Sequence, residues 1–408
     1  MTPNHNLRAK WVVPGDASPI ENGLVKIRNG IIETVAPIAG PPPPDTTDLG
    51  DVVLLPGFVN AHTHLELTGF AGRIQPPTEP GEPLLNWMVE LVRLQFTGQV
   101  PAPDHACVQQ GLEQSLRAGV TTIGDISRTN LAWPVLKKSP IRKVCFAELI
   151  SIAHEPPATP EQLEAQIDAV QRDERLIPGL APHTPFTVTG DHLRGCFDLA
   201  QTHSLPITLH LAESRSEVAW LAGEPGPIGE FLTAFGAAGF TSPHCGPVEY
   251  LQQVGGFAVP TLLAHANYVT DDQMNLLAES KCSVAYCPRT HAYFSHSPHR
   301  FQDMIERGIN VCVATDSLAS APSLSVLDEM RFLRSEDPAL ASETLLRMGT
   351  LNGARALSAD HLVGSLTPGK QADLVAVPLE DPRCDDPIKD LLTGTQIPTA
   401  VYVAGQPV

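Results

Sequence analysis

The sequence predicts a mixed α/β protein: a distorted (β/α)₈ TIM barrel with a small β-sandwich domain built from both termini. Three observations point there. Eight short apolar runs alternate with helix-length segments between residues 52 and 315. Strand-like pieces joined by turns fill residues 7–53, and similar pieces return from about residue 364 to the end. Strands that alternate with helices argue for a parallel sheet, and eight of them for a closed one.

In chain order, Gly23-Leu24-Val25-Lys26-Ile27-Arg28 alternates like a strand and runs into Asn29-Gly30, a strong hairpin signal. The prolines at 41–44 read as a stiff connection. The candidate barrel strands are 52–60, 121–126, 144–150, 177–182, 207–211, 261–264, 283–287 and 311–315. Strand-like alternation resumes at 372–377 and 400–403. The expected division is residues 1–56 with 361–408 as the composite β-domain, and 57–360 as the barrel.

Composition narrows the partners. Forty-five acidic residues stand against 27 basic ones, a formal charge of −18, which disfavours nucleic acid and anionic membrane surfaces. Hydrophobic residues make up 42% of the chain, enough for a large core, but no uncharged apolar run approaches membrane-spanning length. The eight cysteines form no Cys-x-x-Cys pair, and several sit in apolar runs such as Val311-Cys312-Val313. With no apolar stretch near the first residues, the expectation is a reduced, cytoplasmic protein acting on a small molecule.

A barrel places its chemistry at the C-terminal ends of its strands. After the first run comes His62-Thr63-His64, whose imidazoles point the same way in extended chain and can grip one ion. The fifth is followed by His210-Leu211-Ala212-Glu213, the sixth by His265 and the eighth by Asp316. A lone His-x-His is a weak signal, and a single buried histidine is usually structural. Three histidine-bearing strand ends and an aspartate on one rim are different, because burying them together is costly without a metal or mutual pairing.

These residues, together with Pro56-Gly57-Phe58-Val59-Asn60-Ala61 ahead of His62, Thr315-Asp316-Ser317, Leu351-Asn352-Gly353-Ala354-Arg355-Ala356-Leu357 and Pro368-Gly369-Lys370-Gln371-Ala372-Asp373-Leu374, resemble the amidohydrolase superfamily, in its cytosine deaminase/chlorohydrolase-like branch. The resemblance implies that His62, His64, His210 and Asp316 hold one divalent ion per chain, zinc or else iron. Binuclear relatives bridge two metals with a lysine at the end of the fourth strand. Here that place reads Ala181-Pro182-His183, and Lys143 opens the third strand at its other end, so one metal is expected. The resemblance also implies a deaminase in which Glu213 shuttles a proton to a ring nitrogen. His265 orients the attacking water, and Asp316 takes its proton on to departing ammonia. A homodimer is a further expectation.

The substrate contacts follow from position and resemblance. His183 is similar to a substrate-contacting histidine of nucleoside-type deaminases. Trp87 lies in the long segment after the first strand, where a ring contact or a core aromatic would sit. Glu66 continues the inward face of the first strand, to bind substrate or buttress the rim. Arg289 and His291 follow the seventh strand, within reach of a polar group, while His296 and His299 read as lid or surface residues. The stretch from Cys287 to Arg300 looks like aminodeoxyfutalosine deaminases. That resemblance puts 6-aminodeoxyfutalosine first, ahead of adenosine, methylthioadenosine and S-adenosylhomocysteine. Alternatives are an s-triazine hydrolase, a guanine deaminase or an imidazolone ring opener, and more remotely a non-catalytic metal-binding scaffold.

Overall fold

The computed structural model describes residues 4–77, 83–152, 159–168, 170, 172–237 and 240–408, which form two eight-stranded sheets. The first strands are His5–Val12 (β1), Ile20–Arg28 (β2), Ile31–Pro37 (β3), Thr46–Asp48 (β4) and Val52–Pro56 (β5). Next come Phe58–Thr63 (β6), Val120–Ser127 (β7), Arg142–Leu149 (β8), Leu176–Pro182 (β9) and Ile207–Leu211 (β10). Thr261–His265 (β11), Ser283–Tyr286 (β12) and Asn310–Val313 (β13) follow. Leu374–Pro378 (β14), Ala400–Val403 (β15) and Gln406–Pro407 (β16) end the chain.

The terminal strands make one sheet in the order β16-β15-β14-β5-β1-β2-β3, with β4 beside β1. Asn29 and Gly30 turn the β2–β3 hairpin with φ of 53° and 79°, the left-handed pair that a two-residue type I′ turn requires. The sheet curls so that its β3 edge meets the segment leading into β14: Ala372 donates to the Gly30 carbonyl and Ile32 to that of Lys370, both at 2.8 Å. Leu7, Val25, Ile27, Leu54, Leu374 and Tyr402 pack together inside the curl.

The second sheet runs β13-β12-β11-β10-β9-β8-β7-β6, every pairing parallel. Ile126, Phe146, Ala181, Leu262, Ala285 and Cys312, from six different strands, share one cluster and mark the inside of a barrel. Side chains close the gap between the last and first strands. The Asn60 amide donates to Thr315 Oγ1 at 2.8 Å, and its Oδ1 accepts the Thr315 N–H at 3.1 Å.

The first apolar run needs correcting. Residues 52–60 are two strands, not one: Val52–Pro56 pairs with β1 and β14 in the terminal sheet, and Phe58 starts the barrel. The chain crosses between sheets at Gly57, where a Cβ would lie 2.1 Å from Thr121 Oγ1, so only glycine fits. Continuous apolar character hid the crossing because both halves are fully buried.

Beside this crossing, Arg142 at the start of β8 forms a buried ion pair with Asp373 in the tail, at 2.8 Å. Lys143 Nζ donates to the carbonyls of Ser139 and Ile141, at the entry end of β8 and away from the rim that carries the histidines. All eight cysteines are free thiols. Among the described residues, no helix is long and apolar enough to cross a membrane.

Candidate metal centre and active site

The strand ends converge as their spacing predicts. The ligand atoms of His62, His64 and His210 all lie within 4.8 Å of one another. Asp316 Oδ1 stands 3.8 Å from the Nε2 of both His62 and His64. That is too long for a hydrogen bond and suits two atoms bound to one ion at about 2.0–2.2 Å each. Both ring nitrogens of His62 are buried with no hydrogen-bond partner among the described residues. An orphaned imidazole at the centre of a histidine cage is what a missing cation would satisfy, so the donor set fits a divalent ion.

The cage is oriented from outside. His210 Nδ1 sits 3.0 Å from the His183 carbonyl, which fixes the donating hydrogen there and leaves Nε2 as a ligand. Asp125 accepts the Leu65 N–H at 2.8 Å, pinning the backbone just after His64. Ser320 Oγ donates to Asp316 Oδ2 at 3.1 Å. Burial, and then the neighbouring imidazoles, push His62 well below the usual 6.5. Burial lowers His64 to about 3, with His210 adding to it, and lowers His210 itself to about 4. The imidazoles are therefore neutral, the form that binds metal. Burial raises Asp316 to about 6.

Glu213 and His265 stand at the edge of the cage, with Glu213 Oε1 3.5 Å from His265 Nε2 and both side chains almost wholly buried. Their backbone is held on several sides. Glu217 accepts the Ala212 and Glu213 N–H groups, and Asn267 Nδ2 donates to the Glu213 carbonyl at 3.0 Å. His299 Nε2 donates to the His265 carbonyl at 2.9 Å. Ala212, His265, Ala266 and Asp316 all have positive φ, between 50° and 70°. Left-handed backbone at non-glycine residues costs about 1–3 kcal/mol each and persists where the surroundings enforce it, typically at functional sites.

The substrate candidates separate. His183 lies on the rim with its ring centroid 5.1 Å from that of His210 and Nδ1 2.8 Å from Thr187 Oγ1. Glu66 is turned away: its carboxylate accepts from Ser127, Thr129 and Leu131, and it buttresses the loop after β7. Arg289 is also committed elsewhere, with Nε 2.6 Å from the buried Glu329 and a terminal nitrogen on Ser323. Both nitrogens of His291 are engaged, by Asn267 and by the Ser297 carbonyl. Trp87 packs edge-on against Phe294 at 5.6 Å and donates to the Ala319 carbonyl, as a core aromatic does.

His299 and His296, expected as lid or surface residues, are half-buried. His299 stacks on Tyr286 at 4.0 Å beneath the site, and His296 Nδ1 lies 3.0 Å from the Tyr268 hydroxyl. Sequence reasoning also passed over Glu217, Asn267 and Asp125. Glu217 had a signal in Ser214-x-x-Glu217, the capping-box pattern of a helix start. Asn267 and Asp125 had none, because they bond backbone atoms that no spacing rule identifies.

With this geometry in place, comparison with known proteins is informative. Residues 53–408 match the model of the amidohydrolase family. The chain belongs to that family. This amidohydrolase is a metal-binding hydrolase of carbon–nitrogen bonds, and its histidine cage could hold the ion. It is 30% identical over 403 residues to the 5-methylthioadenosine/S-adenosylhomocysteine deaminase of Nitratidesulfovibrio vulgaris, covering 92% of this chain and 84% of that one. A zinc-bound adenosine deaminase from Xanthomonas campestris superposes with a TM-score of 0.84 at 25% identity, covering 99% of this chain and 92% of that one. The aminofutalosine deaminase of Helicobacter pylori has the same fold, with a TM-score of 0.86 at 22% identity over 99% of this chain and 100% of its own.

Proposed function

We propose that this amidohydrolase hydrolytically deaminates the adenine-type ring of a nucleoside-like substrate and releases ammonia. The observation that carries the reading is the Glu213–His265 pair, buried 3.5 Å apart beside the histidine cage. A metal-binding scaffold has no use for an acid/base pair held by Glu217, Asn267 and His299. The similarity to adenosine-type deaminases supports the same substrate class.

His62, His64, His210 and Asp316 would hold one divalent ion, zinc by preference and iron as the alternative. Such an ion supplies Lewis acidity, enough to bring the pKa of water down to about 7. The protein's own groups do the rest. His265 orients the attacking water against the ring carbon that bears the amine. Glu213 delivers a proton to the adjacent ring nitrogen as the C–O bond forms. Asp316 accepts one of the water's protons and passes it to the amine, the C–N bond breaks with loss of ammonia, and the remaining hydroxyl proton returns to Glu213 as the carbonyl forms. A positioned acid/base group of this kind contributes about 10²–10⁴-fold.

The test is an ammonia-release screen of purified, metal-analysed protein. The panel holds 6-aminodeoxyfutalosine, adenosine, methylthioadenosine, S-adenosylhomocysteine and 5′-deoxyadenosine, with triazines, guanine and imidazolones alongside. Release from one or more adenine nucleosides is expected. Release confined to the other ring types would move the protein to another amidohydrolase reaction.

A further inference from the structure

The catalytic and metal-binding groups occupy β6, β10, β11 and β13, one side of the rim. On the remaining arc, β7, β8 and β9 are neighbours in register, with Ile126 opposite Phe146 and Ser127 opposite Ala147. Glu148 pairs with Ala181. Ile126, Phe146 and Ala181 face the barrel interior. Side chains alternate along a strand, so the inward positions two residues on are Arg128, Glu148 and His183. These three form a polar row across the rim, beginning beside His210.

Glu148 is the unusual member. It stands directly above Phe146 at the end of its strand, only partly buried, and accepts no hydrogen bond from a described residue. Polar groups in such a place are normally satisfied. Its neighbour Glu66, by contrast, has every oxygen engaged. Burial pushes the Glu148 carboxyl up to about 7, with Arg128 pulling it back and Glu66 adding to the rise. Arg128 is exposed and makes no ion pair within 4.0 Å among the described residues. Among the described residues, none uses this carboxylate.

We infer that Glu148 is a specificity residue for the arm of the substrate, accepting hydrogen bonds from the hydroxyls of a sugar-like group that His183 and Arg128 flank. This rests on the deaminase reading above. With the ring's reacting carbon at the cage and its nitrogen at Glu213, the β7–β9 arc is the adjoining stretch of rim that the arm would meet. A carboxylate with free lone pairs matches a pair of vicinal hydroxyls.

The experiment compares kcat/KM for adenosine and 2′,3′-dideoxyadenosine in the wild type, Glu148→Ala and Glu148→Gln, with melting temperatures measured alongside. The wild type should prefer the hydroxylated nucleoside by roughly 10- to 100-fold, the range of a charge-assisted hydrogen bond. Glu148→Ala should bring the two substrates within about twofold of each other, and Glu148→Gln should keep part of the preference. A Glu148→Ala enzyme that retains the wild-type ratio overturns the inference and leaves the deaminase reading intact. A wild type that releases ammonia from no adenine nucleoside overturns both.

Discussion

Glu217 holds Glu213 by the backbone: its two oxygens take the N–H of Ala212 at 2.8 Å and of Glu213 at 2.9 Å. Glu217 is itself wholly buried, at the start of the helix Arg215–Leu221. Removing the carboxylate orphans two buried donors in a turn that already has positive φ at Ala212, at about 1–3 kcal/mol per group. Glu217→Ala should therefore lower kcat by roughly 10- to 100-fold while metal content stays at the wild-type level. Glu217→Gln, with one acceptor left, should fall between. Elemental analysis beside steady-state kinetics separates this from loss of the cage.

Glu213 itself should be needed for turnover and not for metal. Glu213→Gln is expected to bind one ion per chain and lose about 10²–10⁴-fold in kcat. Chelation should abolish activity in the wild type, and one equivalent of zinc or iron should restore it. A requirement for two equivalents would contradict the four-ligand cage and the absence of a lysine after β9.

Acid should weaken the metal-free protein in a defined window. His64 and His210 titrate near 3 and 4 in the fold, below the usual 6.5. The unfolded chain thus binds more protons than the folded one at intermediate pH. Stability is complete above about pH 6.5 and is lost as pH falls toward 4. The melting temperature of chelated protein should drop steadily from about pH 7 to 4.5. The metal-loaded form should hold longer, since an imidazole must release the ion before it takes a proton. A flat profile for the chelated protein would exclude this account.

Arg289 should matter for stability. Its guanidinium compensates Glu329, which is wholly buried. Arg289→Met leaves that carboxylate unpaired and should cost about 3–5 kcal/mol in denaturant unfolding. Adding Glu329→Leu should recover much of the loss, because the pair is replaced by apolar volume.

The barrel was legible because each strand is a short apolar run and each functional histidine or acid sits at or just past the end of one. His62, His64, His210, Glu213, His265 and Asp316 all follow that rule, and the structure brings them together. Glu66, Arg289 and His291 obey the same positional rule and still turn elsewhere. Their strand-end placement says which rim they occupy, while their hydrogen bonds depend on loops such as 127–131 and 297–299 arriving from other parts of the chain. The crossing at Gly57 escaped for a related reason. Burial on both sides removed the polar alternation that would have marked two strands.

Residue Leu55 in β5 pairs with Val375 in β14, across nearly the whole length of the chain. During synthesis β1 and β5 are complete early, but the far edge of β5 stays bare until the tail emerges. All five residues of that strand are buried in the finished fold. A growing or truncated chain thus carries an open, apolar strand edge, a ready template for pairing with another molecule. Pairing with β14 closes that edge, and a chain shortened before residue 374 should collect in the insoluble fraction on expression even though His62, His64, His210 and Asp316 are all present.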